Sequence, residues 1–128
     1  MLTDDFKQDL FGQFAKIGKA LSHGNRLELL ELLAQGERNV EDLANVAGLS
    51  VANTSQHLQQ LRRAGLVTFR KEGLRVFYRI TATDVLSLLT TIHSVAEFHL
   101  VEAQQLIQSY LTHRDSLEPI ARVDLMTR

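Results

Sequence analysis

Arg62, Arg63, Arg70, Lys71, Arg75 and Arg79 all fall between Ser50 and Ile80, and Glu72 is the only acid in that stretch. The stretch carries +5; the other eight basic and fourteen acidic residues leave −6, for a formal net charge of −1. Clustered cations make a candidate anion-binding surface. A solvated basic face is the other reading, and charge alone does not separate the two. Just ahead of the first arginines stand side chains of a different kind: Asn53, Ser55, Gln56 and His57. Asn and Gln amides pair bidentately with adenine, Ser donates or accepts, and a small apolar group such as Val51 or Ala52 can touch a thymine methyl. Ser55, His57 and Arg62 suit phosphate, which orients a protein on a duplex without reading its sequence. Gln59 and Gln60 read more simply as solvent-exposed amides.

Other chemistry is missing. The 128 residues contain no cysteine, which excludes a disulfide framework, a thiolate metal site and a cysteine nucleophile. We find no glycine-rich phosphate loop, no carboxylate pair placed for acid–base work and no metal cluster, so an enzyme is not expected. With 45% hydrophobic and 23% charged residues, the chain fits one globular domain, or one domain plus a short extension. No apolar run approaches the roughly 20 residues of a membrane span. The start, MLTDDFKQDL, lacks the basic and apolar regions of a signal peptide. A cytoplasmic protein without a membrane partner is expected.

The elements around these groups must position them. Thr3 is placed to cap a helix over 4–20. Asp4 and Asp5 suit the positive end of its dipole, and Phe6, Leu10, Phe14, Ile17 and Leu21 recur on one face, with Phe11 beside it. After a break at Ser22-His23-Gly24, residues 25–35 form a leucine-rich, central helix ended by Gly36. Asn39 caps a short helix over 40–47, with Asp42 in a variant of the capping box. Gly48 ends that helix, Ser50 caps the next, and Gly65 ends it after about Ala64. Two helices joined by Gly48-Leu49-Ser50 are a helix-turn-helix pattern. Leu49, Leu58, Leu61 and the Thr54 methyl would face the core.

The period then changes. Residues 66–70 and 74–80 are β-branched and aromatic around Lys71-Glu72-Gly73, which predicts a β-hairpin. Thr83 can cap one last helix to about Leu111, roughly 28 residues and ~42 Å long. Val85, Leu88, Leu89, Ile92, Val95, Ala96, Ala103, Leu106, Ile107 and Tyr110 make its apolar stripe. That exceeds what a small domain needs, so a homodimer is expected, with Phe6, Leu10, Phe14, Leu88, Ile92, Val95, His99 and Leu106 at the interface.

The fold class that follows is mainly α with a small β-hairpin: a winged helix-turn-helix with long N- and C-terminal dimerisation helices. Residues 1–111 would form the binding and dimerisation domain, and 112–128 a tail or linker. The basic stretch coincides with the two elements such a domain presents to DNA. Ser50, Val51, Ala52, Asn53, Ser55, Gln56 and His57 would lie toward the major groove. Arg62 and the wing cations Arg70, Lys71 and Arg75 would meet backbone or a narrow minor groove, Arg75 foremost. The alternative is an interaction module that has lost DNA binding.

Nearly the whole chain resembles the ArsR family of winged-helix repressors. The resemblance is carried by Lys19-Ala20-Leu21-Ser22-His23-Gly24-Asn25-Arg26-Leu27-Glu28-Leu29-Leu30, Asp42-Leu43-Ala44, Gly48-Leu49-Ser50, the run from Ser55 to Val67, and Arg70 to Ile80. It implies a homodimer built on the first and last helices. It also implies an inverted-repeat operator and repression relieved by a ligand or chemical signal. Gly24 departs from the proline common in the family, which would preset the first helical turn.

Asn39 and Glu41 stand where one family sensor has cysteines. Of the four positions of a second sensor only Asp84 fits, with Leu86, Glu97 and Leu100 at the others. No cofactor or metal is expected, and His99 reads as an interface residue. Residues 114–125 resemble the connector of ArsR–rhodanese fusions, so a fused C-terminal rhodanese domain is a candidate partner; an ordinary tail is the other reading.

Overall fold

The structure is a computed structural model that describes residues 3–117, with side chains as far as His113. Its helices are α1 (Asp4–Leu21), α2 (Gly24–Ala34), α3 (Val40–Ala47), α4 (Val51–Arg63), α5 (Thr83–His99) and α6 (Val101–Leu117); its strands are β1 (Arg38–Asn39), β2 (Val67–Glu72) and β3 (Arg75–Ile80). The chain divides after Leu89 into two compact units.

The first unit is a winged helix-turn-helix. Its core is leucine on leucine: Leu29 and Leu30 of α2, Leu43 of α3, and Leu58 and Leu61 of α4 are all completely buried. Each such side chain contributes about 1.5–3 kcal/mol through its burial, so α4 is held firmly along its inner face. Thr54 is buried too, and its hydroxyl donates to the Ser50 carbonyl at 2.8 Å. Val67 and Tyr78 of the sheet and Val85 and Leu89 of α5 close the core. Of α1, only the C-terminal end enters it, through Ala20, with Ile17 and Leu21 packed alongside.

Local capping follows the sequence. The Thr3, Asn39 and Ser50 side-chain oxygens accept from the backbone N–H of Phe6, Asp42 and Asn53 at 3.1, 2.8 and 3.0 Å. The Asp42 carboxylate turns to Arg38 at 3.1 Å. Gly48 ends α3 at φ 69°, a left-handed conformation that costs glycine little, and sets the tight turn into α4.

The wing differs from expectation in two respects. Its turn is shorter, because Glu72 pairs with Arg75, leaving only Gly73-Leu74 between the strands. Gly73, at φ 62°, takes the first central position, where a two-residue hairpin of type II′ needs it. The hairpin is also part of a three-stranded antiparallel sheet of order β1-β3-β2, with Arg38 opposite Tyr78 and Asn39 opposite Phe77. A two-residue strand is too short to show a period of two, so the pattern did not reveal it.

The single long C-terminal helix is a second correction. It is interrupted at Leu100, between α5 and α6, and α6 continues past Leu111 to Leu117. Leu100 N–H still bonds the Ala96 carbonyl at 3.0 Å, and Gln104 N–H the Leu100 carbonyl at 3.1 Å. No proline or glycine marks the break, which is why residue type alone did not predict it. Within the second unit Val95, Phe98, Leu106 and Tyr110 are each more than half exposed. Of the expected linker over 112–128, the part from residue 118 lies outside the described residues.

Candidate nucleic-acid interface

The outward face of α4 begins at its cap. Ser50 accepts from Asn53 N–H through its side chain and from Thr54 N–H through its carbonyl, which fixes the first turn. Val51, Ala52, Asn53 and Gln56 then lie exposed, while Ser55 is half-buried. Behind them Leu58 and Leu61 anchor the helix, so the first turns project their side chains from a rigid support.

His57 is half-buried and stands apart from that face. Its ring packs against His23, centroids 4.7 Å apart, and its Nδ1 accepts from Arg26 Nε at 3.3 Å. Burial above all, then the charges of His23 and Arg26, lower its pKa from the ordinary histidine range. An accepting Nδ1 leaves Nε2–H as the donor of a neutral imidazole. His57 can thus offer a hydrogen bond to an anion without a full charge.

On the wing side, Ser55, Gln59, Arg62 and Arg63 of α4 and Phe69 and Lys71 of β2 line a groove of about 500 Å³. The Arg62 guanidinium sits 4.3 Å from the Phe69 ring centroid. Stacking on an aromatic face pre-orders the guanidinium while leaving its edge free to donate. Gln59, expected only to meet solvent, and Arg63 thus belong to this groove; nothing in their local sequence separates them from other surface residues.

Arg70 is the residue that the structure reassigns most. Glu37, from the chain just before β1, accepts from its Nη2 at 2.7 Å and from its Nε at 3.0 Å, and Glu72 accepts from Nη1 at 2.6 Å. The same guanidinium lies 4.7 Å from the Phe77 ring centroid. The Arg70 hydrogen bond holds the Glu37 carboxyl below its usual range, and the two carboxylates push the Arg70 pKa upward. Arg70 is therefore a brace between the wing and the β1 approach, its charge already balanced. Glu37 was unrecognised because it lies 33 residues away in sequence. Lys71 and Arg75, in contrast, are exposed and enter no ion pair among the described residues.

The expected interface residues lie on α1, α5 and α6. Phe6 and Phe14 on α1 are at least half exposed and Leu10 is half-buried. Leu88, near the end of the first unit, is half-buried. In the second unit Ile92 is half-buried, and Val95, His99 and Leu106 are exposed. Among the described residues no group of three or more metal-ligating side chains comes together, and no helix is long and apolar enough to cross a membrane.

Residues 23–68 match the family model described as bacterial regulatory protein, arsR family. The chain is 40% identical over 124 residues to the HTH-type transcriptional regulator Rv0324 of Mycobacterium tuberculosis, which covers 97% of this chain but only 54% of that protein. It is 32% identical over 94 residues to the biofilm growth-associated repressor of Xylella fastidiosa, covering 73% of this chain and 82% of the repressor. Among solved structures it is similar to the homodimeric winged helix-turn-helix DNA-binding domain Mb0332 of Mycobacterium bovis, a possible ArsR-family transcriptional regulator. The TM-score there is 0.72 at 44% identity, over 80% of this chain and 94% of that one. By fold, by the capped helix-turn-helix with its cationic wing, and by sequence, this chain belongs to the ArsR family of bacterial transcriptional regulators.

Proposed function

We propose that the chain acts as a homodimeric repressor that binds an inverted-repeat operator in double-stranded DNA and leaves it in response to a signal. The observation that carries this reading is the division of labour on the wing. Arg70 is balanced by Glu37 and Glu72, while Lys71 and Arg75 near the tip enter no ion pair among the described residues, and Lys71 shares a groove with Ser55 of α4. Cations held by a braced hairpin, next to a capped helix bearing Asn53 and Gln56, suit a phosphate contact beside a base-reading surface. Ser50, Val51, Ala52 and Ser55 would share the groove, with His57 and Arg62 toward the backbone. The exposed faces of Phe6, Phe14, Val95 and Leu106 support a second copy as partner, as does the homodimeric Mycobacterium bovis domain. Repression is the sign of the Xylella fastidiosa relative. No catalytic role and no cofactor form part of this reading. A rhodanese-type partner rests on the resemblance of residues 114–125 alone.

Selection of bound duplexes from a random pool tests the proposal. The expected product is an inverted repeat with half-sites about one helical turn, 10–10.5 bp, apart. Affinity should fall steeply with salt, and a reporter behind that sequence should be silenced by the chain. No enriched sequence, a salt-flat affinity or a reporter switched on would contradict it. A flat response is what an interaction module without DNA binding gives. Repeating the selection with metal and sulfur species present searches for the signal.

A further inference from the structure

The negative charge that the sequence assigns to the rest of the chain is not spread over the whole folded surface. Lys16 and Lys19 of α1, His23 at the α1–α2 turn, Arg26 of α2, and Gln60 and Arg63 of α4 line a cleft of about 490 Å³ with no acidic residue among the described residues that line it. A second groove of about 340 Å³ shares Arg26, Gln60 and Arg63 with it and adds Gln56, His57 and Gln59. The two join into one trough beside α4. Among the described residues, no ion pair engages Lys16, Lys19, Arg26 or Arg63. Arg26 is fixed in place: Nη1 donates to the Lys19 carbonyl at 3.3 Å and Nε to His57 Nδ1 at 3.3 Å. The first turn of α2 also lacks an acidic residue.

The position of the trough identifies what it would hold. At about 100° per residue, Ala52, Gln56, Gln59 and Arg63 form the outward ridge of α4. Ser55 and Arg62 lie to one side, against the wing groove; His57 and Gln60 lie to the other, against the trough. A helix about 10–12 Å across fills a major groove about 12 Å wide, so one DNA backbone passes on each side of it. The wing groove accounts for one strand. We propose that the trough between α1, α2 and α4 is a second phosphate track, in which Lys16, Lys19, Arg26 and Arg63 engage the backbone of the other strand. This rests on the DNA-binding reading above and extends its footprint to α1, a helix that the sequence assigned only to dimerisation. A single small oxyanion is the other source of the same chemistry. A row of cations along a helix fits a polyanionic strand better than a point ligand.

The test uses the full chain and a fluorescein-labelled 30-bp duplex of arbitrary sequence, with anisotropy measured over a range of KCl concentrations. Each phosphate contact contributes about 0.9 to the slope of log affinity against log salt. Counted over both protomers, Lys16→Gln with Lys19→Gln should flatten that slope by about 3–4, and Arg63→Gln by about 2. Lys7→Gln, also on α1 but outside the cleft, should leave it unchanged. Thermal midpoints equal to wild type show that the variants fold; if the double variant does not, Lys16→Gln and Lys19→Gln made singly carry the test, because Arg63 also lines the wing groove. Folded cleft variants with the wild-type slope overturn the track while leaving the function intact. A titration with inorganic phosphate, followed by the NMR shifts of His23 and His57, covers the other source. If those shifts depend on Lys16 and Lys19 while the DNA slope does not, the site takes a free oxyanion and the backbone assignment fails. If wild type binds no duplex at all, the proposed function itself is refuted.

Discussion

Arg70 and Arg75 lie on paired strands of one hairpin, yet of the two only Arg75 is without an ion pair among the described residues. Arg75→Ala should therefore weaken binding equally on specific and random duplexes and lower the salt slope by about 2, one contact in each protomer; a loss confined to one sequence would contradict this. Asn53→Ala or Gln56→Ala should instead change sequence preference. Arg70→Ala should lower the thermal midpoint and leave the salt slope nearly unchanged. That loss has a pH signature. Because Arg70 depresses the Glu37 pKa, the pair stabilises the fold above the ordinary carboxylate value of 4.5, and the contribution fades as pH falls through the lowered folded value. The midpoints of wild type and variant should thus converge in acid; a constant gap would exclude the pair as its cause. His57 acts with the same sign in a higher pH window. Its lowered pKa means that the unfolded chain binds the proton more readily between that value and 6.5, so this group makes stability rise with pH across the window. NMR titration should find the His57 ring changing charge below 6.5, and His57→Gln should remove that part of the pH dependence.

Three helices of the first unit, α1, α3 and α4, were legible because each carried its own start. Thr3, Asn39 and Ser50 cap as their positions in the sequence require, and Gly48 turns where a left-handed residue is needed. The β-branched and aromatic residues of 66–70 and 74–80, around a loop with Gly73, marked the hairpin. What escaped depended on contacts distant in sequence or on too few residues: β1, whose pairing with β3 is only two residues long, the Glu37 brace, and the cations of α1 beside α4. The interruption at Leu100 escaped for another reason, since the residues on either side of it form helix well. The start of α2 supplies a test at this scale. Gly24 opens the helix, a Cβ there would meet nothing within 4 Å, and His23 before it is extended at φ −148° and ψ 122°, as a residue preceding proline should be. Gly24→Pro should stabilise the first unit by about 0.4–1 kcal/mol, by restricting the unfolded chain and presetting the first turn. A fall in the thermal midpoint would show that the Gly24 N–H or its neighbours need freedom that proline removes.

At the scale of the molecule, the apolar surface is larger than one chain needs. Phe6, Phe11 and Phe14 in the first unit are each at least half exposed, and so are Phe98, Leu106 and Tyr110 in the second. Exposed apolar surface of this kind marks interaction sites, and a two-fold interface would cover such residues without any further component. The same symmetry would govern binding, because an inverted repeat is read by two copies of α4 and phosphate contacts are counted over both protomers. Leu106→Glu and Phe14→Glu place a charge at exposed apolar positions of α6 and α1, neither of them a residue of α4 or the wing. Each should lower the mass in sedimentation equilibrium from dimer to monomer and make the thermal midpoint insensitive to protein concentration, which in a dimer it is not. Each should also roughly halve the salt slope on DNA, since a monomer meets half the phosphates. The two readouts are independent. A variant that stays dimeric removes its residue from the interface, and a monomer that keeps the full slope would show that one copy supplies every contact.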